Sequence, residues 1–288
     1  MKITEILKKT NPSFSFEFFP PKTGEGLISL YKTISELEKT GPAFISITYG
    51  AMGSTRKKTL ELIEKIKKSL KCEIMAHLTC IGSGAEEISS IVSKLKKLNI
   101  SNILALRGDI PEDYPEMSKV KNDFLYAADL VRFVKKLDGF CIGVAGYPEC
   151  HKDCRDIDTD INHLKEKINA GAEFIITQLF FHNEYYYSYV EKIRKKGIKN
   201  AVIPGIMPIT GYNQISKIQK MCGCSIHKDI KARLEKFKYD PDSIKNFGVD
   251  YATKQCSELL AQGAPGIHFY TFNKSEATRK IWNSLSQK

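Results

Sequence analysis

The sequence has no apolar run of the about 18 residues that a membrane-spanning helix requires. Residues 1–5 also lack the charged-then-apolar order of a secretory signal. No linker, low-complexity tract or short-motif repeat divides the chain. These absences predict one domain over residues 1–288, a cytoplasmic location and no membrane partner.

Cysteine is present, but a regular disulfide framework is absent. The eight cysteines are unequally spaced in a chain of 288 residues, which is long enough to build a core without disulfides. We therefore expect free thiols. Cys150, His151 and Cys154, with His163 nearby, suggest soft metal ligands, but a second CxxC pair or an HxxxH motif is missing. The sequence predicts no metal site.

The net charge of +11 has no nucleic-acid motif to accompany it. Lysine pairs such as Lys67-Lys68 and Lys135-Lys136 fall on the polar faces of predicted helices, where they are solvated. A basic field would also attract anionic small molecules. We predict no nucleic-acid partner, although a basic nucleic-acid-binding barrel without catalysis remains an alternative. Its affinity would fall steeply with salt.

Short β-rich runs alternate with amphipathic segments along the chain. Several runs are nearly continuously apolar, as in parallel strands that are covered on both faces. The predicted strands are residues 13–19, 43–49, 73–80, 102–107, 140–145, 173–180, 201–207 and 266–271. This count predicts an α/β fold, a (β/α)8 TIM barrel, with extra helices between strands 7 and 8 around 212–221, 230–237 and 241–260. A doubly wound sheet is the alternative.

Polar and aromatic residues recur at the carboxyl ends of these strands, where such barrels assemble their active sites. Glu17 lies in the aromatic run 14–19, so burial would raise its pKa and let it hold a proton near neutral pH. A solvent-facing glutamate fits the same pattern. Arg107 and Asp109 flank a glycine that lets a ligand approach, or they form a salt-bridged strand end. Gln178 either binds a ligand or caps its strand. Together these residues predict an enzyme.

Taken in order, the strand ends resemble the methylenetetrahydrofolate reductase family. Each matching piece is weak alone, but the series is specific and spans nearly the whole chain. The pieces are residues 15–22, 47–51, 77–80, 106–109, 145–149 with His151, Lys167 with 170–172, 177–181, 204–208 and 268–273. The length is similar to that of the compact bacterial form, a catalytic barrel without a regulatory domain.

The resemblance implies non-covalent FAD and the reduction of 5,10-methylenetetrahydrofolate to 5-methyltetrahydrofolate by NADH or NADPH, in ping-pong turnover. Glu17 looks like the general acid that protonates the folate, and Asp109 is similar to the carboxylate near the flavin and the folate. The positions that match flavin-binding residues are Thr48, Tyr49, Ala51, His77, Arg107, Gly108, Asp109, Ala127, Tyr147, His151, Asp160 and Lys167. Those that match folate- or nicotinamide-contacting residues are Gln178, Tyr212, Lys274 and Thr48. A homo-oligomer is expected.

The chain departs from the family pattern at several positions. Cys154, His163 and Glu166 stand where some members have small, amide and basic residues that contact the flavin, and Lys274 stands where arginine is common. Lysine keeps the charge but loses the bidentate fork. Another FAD-dependent barrel, one that resembles proline dehydrogenase, is the second enzymatic interpretation. A substrate assay would distinguish the two.

Overall fold

The computed structural model describes residues 1–49, 53–109 and 123–286, with backbone only for 53–57. Ala51 lies outside the described residues. The strands are β1 Ser13–Phe18, β2 Phe44–Ile47, β3 Glu73–Thr79, β4 Asn102–Leu106, β5 Cys141–Gly146, β6 Phe174–Thr177, β7 Ala201–Ile203, β8 Gly205–Ile206 and β9 Gly266–Tyr270. The helices are α1 Ile3–Lys9, α2 Gly24–Glu38, α3 Gly53–Ser69, α4 Ala85–Lys97, α5 Ala127–Lys136, α6 Ile157–Asn169, α7 Asn183–Lys195, α8 Tyr212–Cys222, α9 Lys228–Lys236, α10 Pro241–Ala261 and α11 Glu276–Ser286.

The strands are all parallel and close into a barrel. Their order is β7-β6-β5-β4-β3-β2-β1-β9-β8. The two ends of this order, β7 and β8, are consecutive pieces of the single predicted strand 201–207, separated by Pro204. Proline has no N–H to donate, but its carbonyl accepts a hydrogen bond from the His268 N–H at 2.9 Å. The predicted (β/α)8 barrel is confirmed, with strand 7 in two pieces.

Strand β1 shows how the alternation of side chains positions the site. Phe16 and Phe18 are fully buried in the layer between the barrel and its helices. Ser15 and Glu17 point the other way, into the barrel, because successive side chains of a strand face opposite sides. The register pairs Ser15 with His268 and Glu17 with Ser46. The aromatic residues therefore form the wall behind Glu17 and not its surroundings.

The amino end of the barrel is covered by α1, which the sequence did not predict. Ile3 and Ile6 pack on interior residues that include Phe44, Met75 and Phe174. The buried Asn102 side chain accepts from the Ile3 N–H at 2.8 Å and donates to the Met1 carbonyl at 3.0 Å. This covering leaves the carboxyl ends of the strands as the face available for a site.

The three helices predicted between strands 7 and 8 are confirmed as α8, α9 and α10. Asp240 begins α10 by accepting a hydrogen bond from the Ser243 N–H at 3.0 Å, and Pro241 follows at the first helical position. The helices share a second apolar cluster with the segments that follow β6 and β8. In the described residues, no helix is long and apolar enough to cross a membrane.

Gly248 fixes how α10 approaches the loop that follows β8. A Cβ at this position would lie 1.9 Å from the carbonyl oxygen of Ile209, which is backbone and cannot rotate away. Gly248→Ala should lower the free energy of unfolding by about 1–3 kcal/mol through overpacking, measured by urea denaturation. Gly24→Ala is the control, because its Cβ would meet nothing within 4 Å. Equal stabilities of the two variants would contradict the packing described here.

Candidate active site

A cavity of about 620 Å³ opens at the carboxyl ends of the strands. This volume is in the range of small-molecule sites, roughly 300–1,000 Å³. Ten of the residues singled out in the sequence line it, although they come from strands and loops between positions 17 and 178 of the chain. They are Glu17, Thr48, Tyr49, His77, Arg107, Gly108, Asp109, Tyr147, His151 and Gln178.

A second cavity of about 500 Å³ adjoins the first. Arg107, Tyr147 and His151 line both cavities, so the two form one continuous depression. The second cavity also receives three more of the predicted residues, namely Ala127, Asp160 and Lys167. The depression therefore runs from the centre of the barrel outward between α5 and α6.

Lys274 and Tyr212 are placed differently from the other predicted residues. Lys274 lines a third cavity of about 430 Å³, which shares Tyr270, Thr271 and Phe272 with the central one. Tyr212 is not among the lining residues of these three cavities in the described part of the chain. Its hydroxyl donates to Glu235, and its ring lies 5.1 Å from the Lys238 ammonium.

Helix α8 nevertheless contributes to the central cavity. Its residues Ile218, Met221 and Cys222 line the cavity. Tyr212 is the first residue of the helix, and its contacts with α9 turn the ring away. The structure therefore does not bring Tyr212 to the other predicted residues.

Glu17 lies inside the barrel between two imidazoles. Its Oε2 is 3.4 Å from His77 Nε2 and 3.5 Å from His268 Nε2, and the side chain is 18% exposed. An ionised carboxylate only accepts, so His268 must donate from Nε2. A neutral ring then accepts at Nδ1, where the Ser15 hydroxyl lies at 2.8 Å. The arrangement fixes both the position of the carboxylate and the tautomer of His268.

The pKa of Glu17 differs from the sequence-based expectation. Burial raises the pKa, but the charge of His77 and the hydrogen bond from His268 together outweigh burial and hold it below the ordinary value. The expectation of a raised pKa for Glu17 was therefore wrong. The expectation considered only the aromatic neighbours in the strand, which face away, and not the histidines across the barrel.

His77 makes the stability of the barrel sensitive to acid. Burial lowers the pKa of His77 to about 4, against the opposing effect of Glu17, so folding favours the neutral ring. The contribution of His77 to the free energy of unfolding is fully present above the unfolded pKa of about 6.5. It is lost as the pH falls toward 4. The loss should reach about 3 kcal/mol. His77→Gln should flatten this part of the pH profile of urea unfolding. If the pH profile of His77→Gln ran parallel to that of the unmodified chain, His77 would not be the source of this acid sensitivity.

Lys167 and Asp160 are the charged pair of the second cavity. Burial lowers the pKa of Lys167 to about 8, although Asp160 opposes the shift. The Lys167 ammonium donates to the Ala145 carbonyl at 2.7 Å and lies 5.7 Å from the centre of the Tyr147 ring. Burial also raises the pKa of Asp160, against the effects of Lys167 and His151. An ammonium has three N–H donors, so Lys167 can also bind an anionic group.

Several residues of the central cavity were missed by sequence reasoning. The buried Thr79 hydroxyl lines the cavity, and no hydrogen-bond partner for it is found in the described residues. Phe19 and Phe272 lie at the mouth with ring centres 6.5 Å apart, and both are more than one-third exposed. Thr79 could have been found from its position two residues after His77. His268 lies in the predicted strand 266–271, but its contact with Glu17 follows only from the pairing of β1 with β9.

A parallel barrel whose carboxyl-end cavity gathers a buried carboxylate, cations and aromatic rings belongs to the enzyme class of (β/α)8 folds. The chain belongs to the methylenetetrahydrofolate reductase family, whose family model matches residues 2–286. It is 35% identical to the 5,10-methylenetetrahydrofolate reductase of Pectobacterium carotovorum over 94% of this chain and 89% of that one. The family suggested by the strand ends is confirmed.

Two further comparisons concern length and fold. The chain is 37% identical to methylenetetrahydrofolate reductase (NADH) 1 of Arabidopsis thaliana over 99% of this chain, but it spans only 50% of that relative. A Clostridium thermocellum protein described as binding two copies of 5-methyl-5,6,7,8-tetrahydrofolic acid superposes with a TM-score of 0.69. It covers 99% of this chain and 97% of its own at 15% identity, which supports the barrel fold.

Proposed function

We propose that the chain reduces 5,10-methylenetetrahydrofolate to 5-methyltetrahydrofolate, with FAD as cofactor and NADH or NADPH as the electron donor. The observation that carries the proposal is the placement of Glu17, a largely buried carboxylate that faces a cavity of about 620 Å³ at the catalytic end of the barrel. Membership of the family supplies the substrate class. An acid-assisted reduction needs a carboxyl group that can carry a proton and a cavity that holds the substrate beside it.

The residues of the two adjoining cavities fit FAD. The central cavity offers the rings of Tyr49, Tyr147 and Tyr270 and the buried Thr79 hydroxyl, which has no hydrogen-bond partner among the described residues, and the second cavity offers the spare donors of Lys167. Arg107 lies between them and supplies a second cation for a pyrophosphate. The flavin ring of the FAD would be held by Thr48, Tyr49, His77, Gly108, Asp109, Tyr147 and His151. Its nucleotide end would be held by Ala127, Asp160 and Lys167. FAD would supply a two-electron carrier between the nicotinamide and the folate.

Gly108 would let the flavin ring approach the backbone closely. It adopts a φ of +87°, a conformation that side chains with a Cβ rarely take. A Cβ there would lie 2.8 Å from Ile81 and 3.0 Å from Thr79. The turn after β4 therefore requires glycine, and this turn sets Arg107 and Asp109 on the cavity wall.

Glu17 would hold the proton that opens the bridging methylene of the folate. His77 and His268 keep the pKa of Glu17 below its ordinary value, so the carboxyl group needs a change of surroundings to hold a proton near neutral pH. A folate that displaces water from the cavity increases the desolvation of the carboxylate, and desolvation raises the pKa of a carboxyl group.

Binding of the folate would use residues on both sides of the mouth. Gln178 is half-buried and lines the central cavity, where its amide can donate to a ring acceptor without adding charge. Lys274 lies in the adjoining third cavity, where its cation suits the carboxylate tail of the substrate. Because both substrates need the central cavity, we propose that the nicotinamide leaves before the folate enters. Tyr212 has no part in this proposal.

A substrate assay tests the proposed function. The purified chain should be yellow and should convert 5,10-methylenetetrahydrofolate to 5-methyltetrahydrofolate when NADH or NADPH is present, with the product identified by mass spectrometry. Proline should not support turnover. Turnover with proline but not with the folate would overturn the proposal in favour of the second flavin barrel. A homo-oligomeric, cytoplasmic protein built as one domain stays a prediction.

A further inference from the structure

We propose that Asn273 is a positioning residue for the folate half-reaction, because its side chain ties together the two sides of the cavity mouth. The amide bonds to the backbone of Phe19 in both directions. Its Oδ1 accepts from the Phe19 N–H at 3.0 Å, and its Nδ2 donates to the Phe19 carbonyl at 2.8 Å. This pair of hydrogen bonds, the Asn273 clamp, joins the segment after β9 to the segment after β1, although the two residues are 254 positions apart.

The backbone of residues 271–274 has a conformation that needs support from its surroundings. Phe272 and Asn273 adopt φ values of +50° and +57°, in the left-handed region that residues with a Cβ rarely occupy. Asparagine tolerates this region better than most residues, but a bulky phenylalanine does not. Such backbone strain persists only where surrounding contacts impose it, and it is concentrated at functional sites. The Asn273 clamp supplies contacts of this kind.

Further hydrogen bonds connect the same segment to the strand that holds Glu17. The Thr271 hydroxyl donates to the Glu17 carbonyl at 2.6 Å and accepts from the Asn273 N–H at 3.1 Å. The Thr33 hydroxyl of α2 donates to the Asn273 carbonyl at 3.2 Å. The N–H, the carbonyl and the amide of Asn273 are therefore all hydrogen-bonded, which fixes the segment against β1 and α2.

The Asn273 clamp positions two aromatic rings and a cation at the mouth. Phe19 and Phe272 lie edge to face with ring centres 6.5 Å apart, and both line the central cavity. The two residues are 42% and 38% exposed, so their rings can pack against an aromatic ring of a ligand. Lys274, the next residue in the chain, lines the adjoining third cavity, where its cation suits a carboxylate. The mouth therefore fits an aromatic ring that carries a carboxylate tail.

The preference for the folate over the nicotinamide rests on the proposed function. Beyond its pterin, the folate has an aryl ring and a carboxylate tail, whereas a nicotinamide dinucleotide has no carboxylate. Side chains that are already held in place spare a ligand the cost of ordering them. Loss of the Asn273 clamp should therefore weaken binding of the folate far more than binding of the nicotinamide, and it should affect affinity more than the chemistry at Glu17.

Asn273→Gly tests the Asn273 clamp, because glycine accepts the left-handed backbone and only the amide is removed. The KM for 5,10-methylenetetrahydrofolate should rise by about tenfold or more, and kcat should fall much less. The rate of flavin reduction by the nicotinamide should stay near that of the unmodified chain. Asn99→Gly is the matched control, since Asn99 is exposed, has a φ of +55° and lies between α4 and β4 at the amino end of the barrel.

A fragment of the folate tests the same place without turnover. p-Aminobenzoylglutamate contains the aryl ring and the carboxylate tail, and NMR line broadening with the full chain measures its dissociation constant. This constant should rise by about tenfold in Asn273→Gly and stay constant in Asn99→Gly.

Three results would overturn the role of Asn273. They are an unchanged KM for the folate, a fragment affinity that is the same in both glycine variants, and an equal loss of both half-reactions. A chain whose fragment binding depends on Asn273 but which does not reduce the folate would contradict the proposed function and leave the Asn273 clamp standing.

Discussion

Replacing Glu17 by glutamine should slow reduction of the folate by about 100- to 10,000-fold, the usual contribution of a general acid. Glutamine keeps the size of the side chain and a hydrogen-bonding amide, so the neighbouring His268 and His77 can stay in place. What is lost is the group that can carry a proton to the substrate. The reduction of bound flavin by NADH or NADPH needs no such proton and should remain nearly unchanged.

The two half-reactions are best measured separately by anaerobic stopped-flow absorbance. Glu25→Gln is the matched control, because Glu25 is an exposed carboxylate in the first turn of α2. It should behave as the unmodified chain in both half-reactions. If Glu17→Gln slowed both half-reactions equally, the residue would be a structural part of the cavity and not an acid for the folate.

Replacing Lys167 by methionine should weaken flavin binding by about 10- to 100-fold, as expected for the loss of a hydrogen bond to a charged group. Methionine can fill the space of the lysine stem while removing the ammonium. The change also removes the cation that stabilises the charge of the buried Asp160 most, so repulsion of the cofactor phosphates would add to the loss. Flavin fluorescence on dilution measures the affinity, because free flavin is brighter than flavin stacked in a protein.

Lys165→Met is the matched control for this experiment. Lys165 lies two residues earlier in α6, and its side chain is exposed. Both variants lose one positive charge, so a general effect of net charge would appear equally in the two. Equal flavin affinity of Lys167→Met and the unmodified chain would remove Lys167 from the proposed cofactor site.

The sequence predicted the strands well because buried parallel strands are nearly continuous apolar runs. The strand that holds Glu17 was expected at 13–19 and is found at Ser13–Phe18. The extra helices were predicted because helical sequence patterns are local signals, and the structure shows that Asp240 and Pro241 begin the third of them. The helix α1 was missed because its apolar face is short, and its role becomes clear only from the barrel interior that it covers.

The parts of the site that escaped prediction depend on contacts between distant residues. The pKa of Glu17 is lowered in part by His268, which is 251 positions away in the chain. The orientation of Tyr212 depends on Glu235 and Lys238, which belong to another helix and the turn after it. The predicted strand 7 is divided at Pro204, whose carbonyl accepts a hydrogen bond from the distant His268 N–H. Local patterns located the residues of the cavity but not the interactions that set their chemistry.

The most direct test of the central claim is an anaerobic titration followed by the colour of the bound flavin. NADH or NADPH should bleach the yellow protein, and 5,10-methylenetetrahydrofolate added afterwards should restore the colour as 5-methyltetrahydrofolate forms. A flavin that bleaches but stays colourless with the folate would contradict the claim that Glu17 and its cavity serve folate reduction.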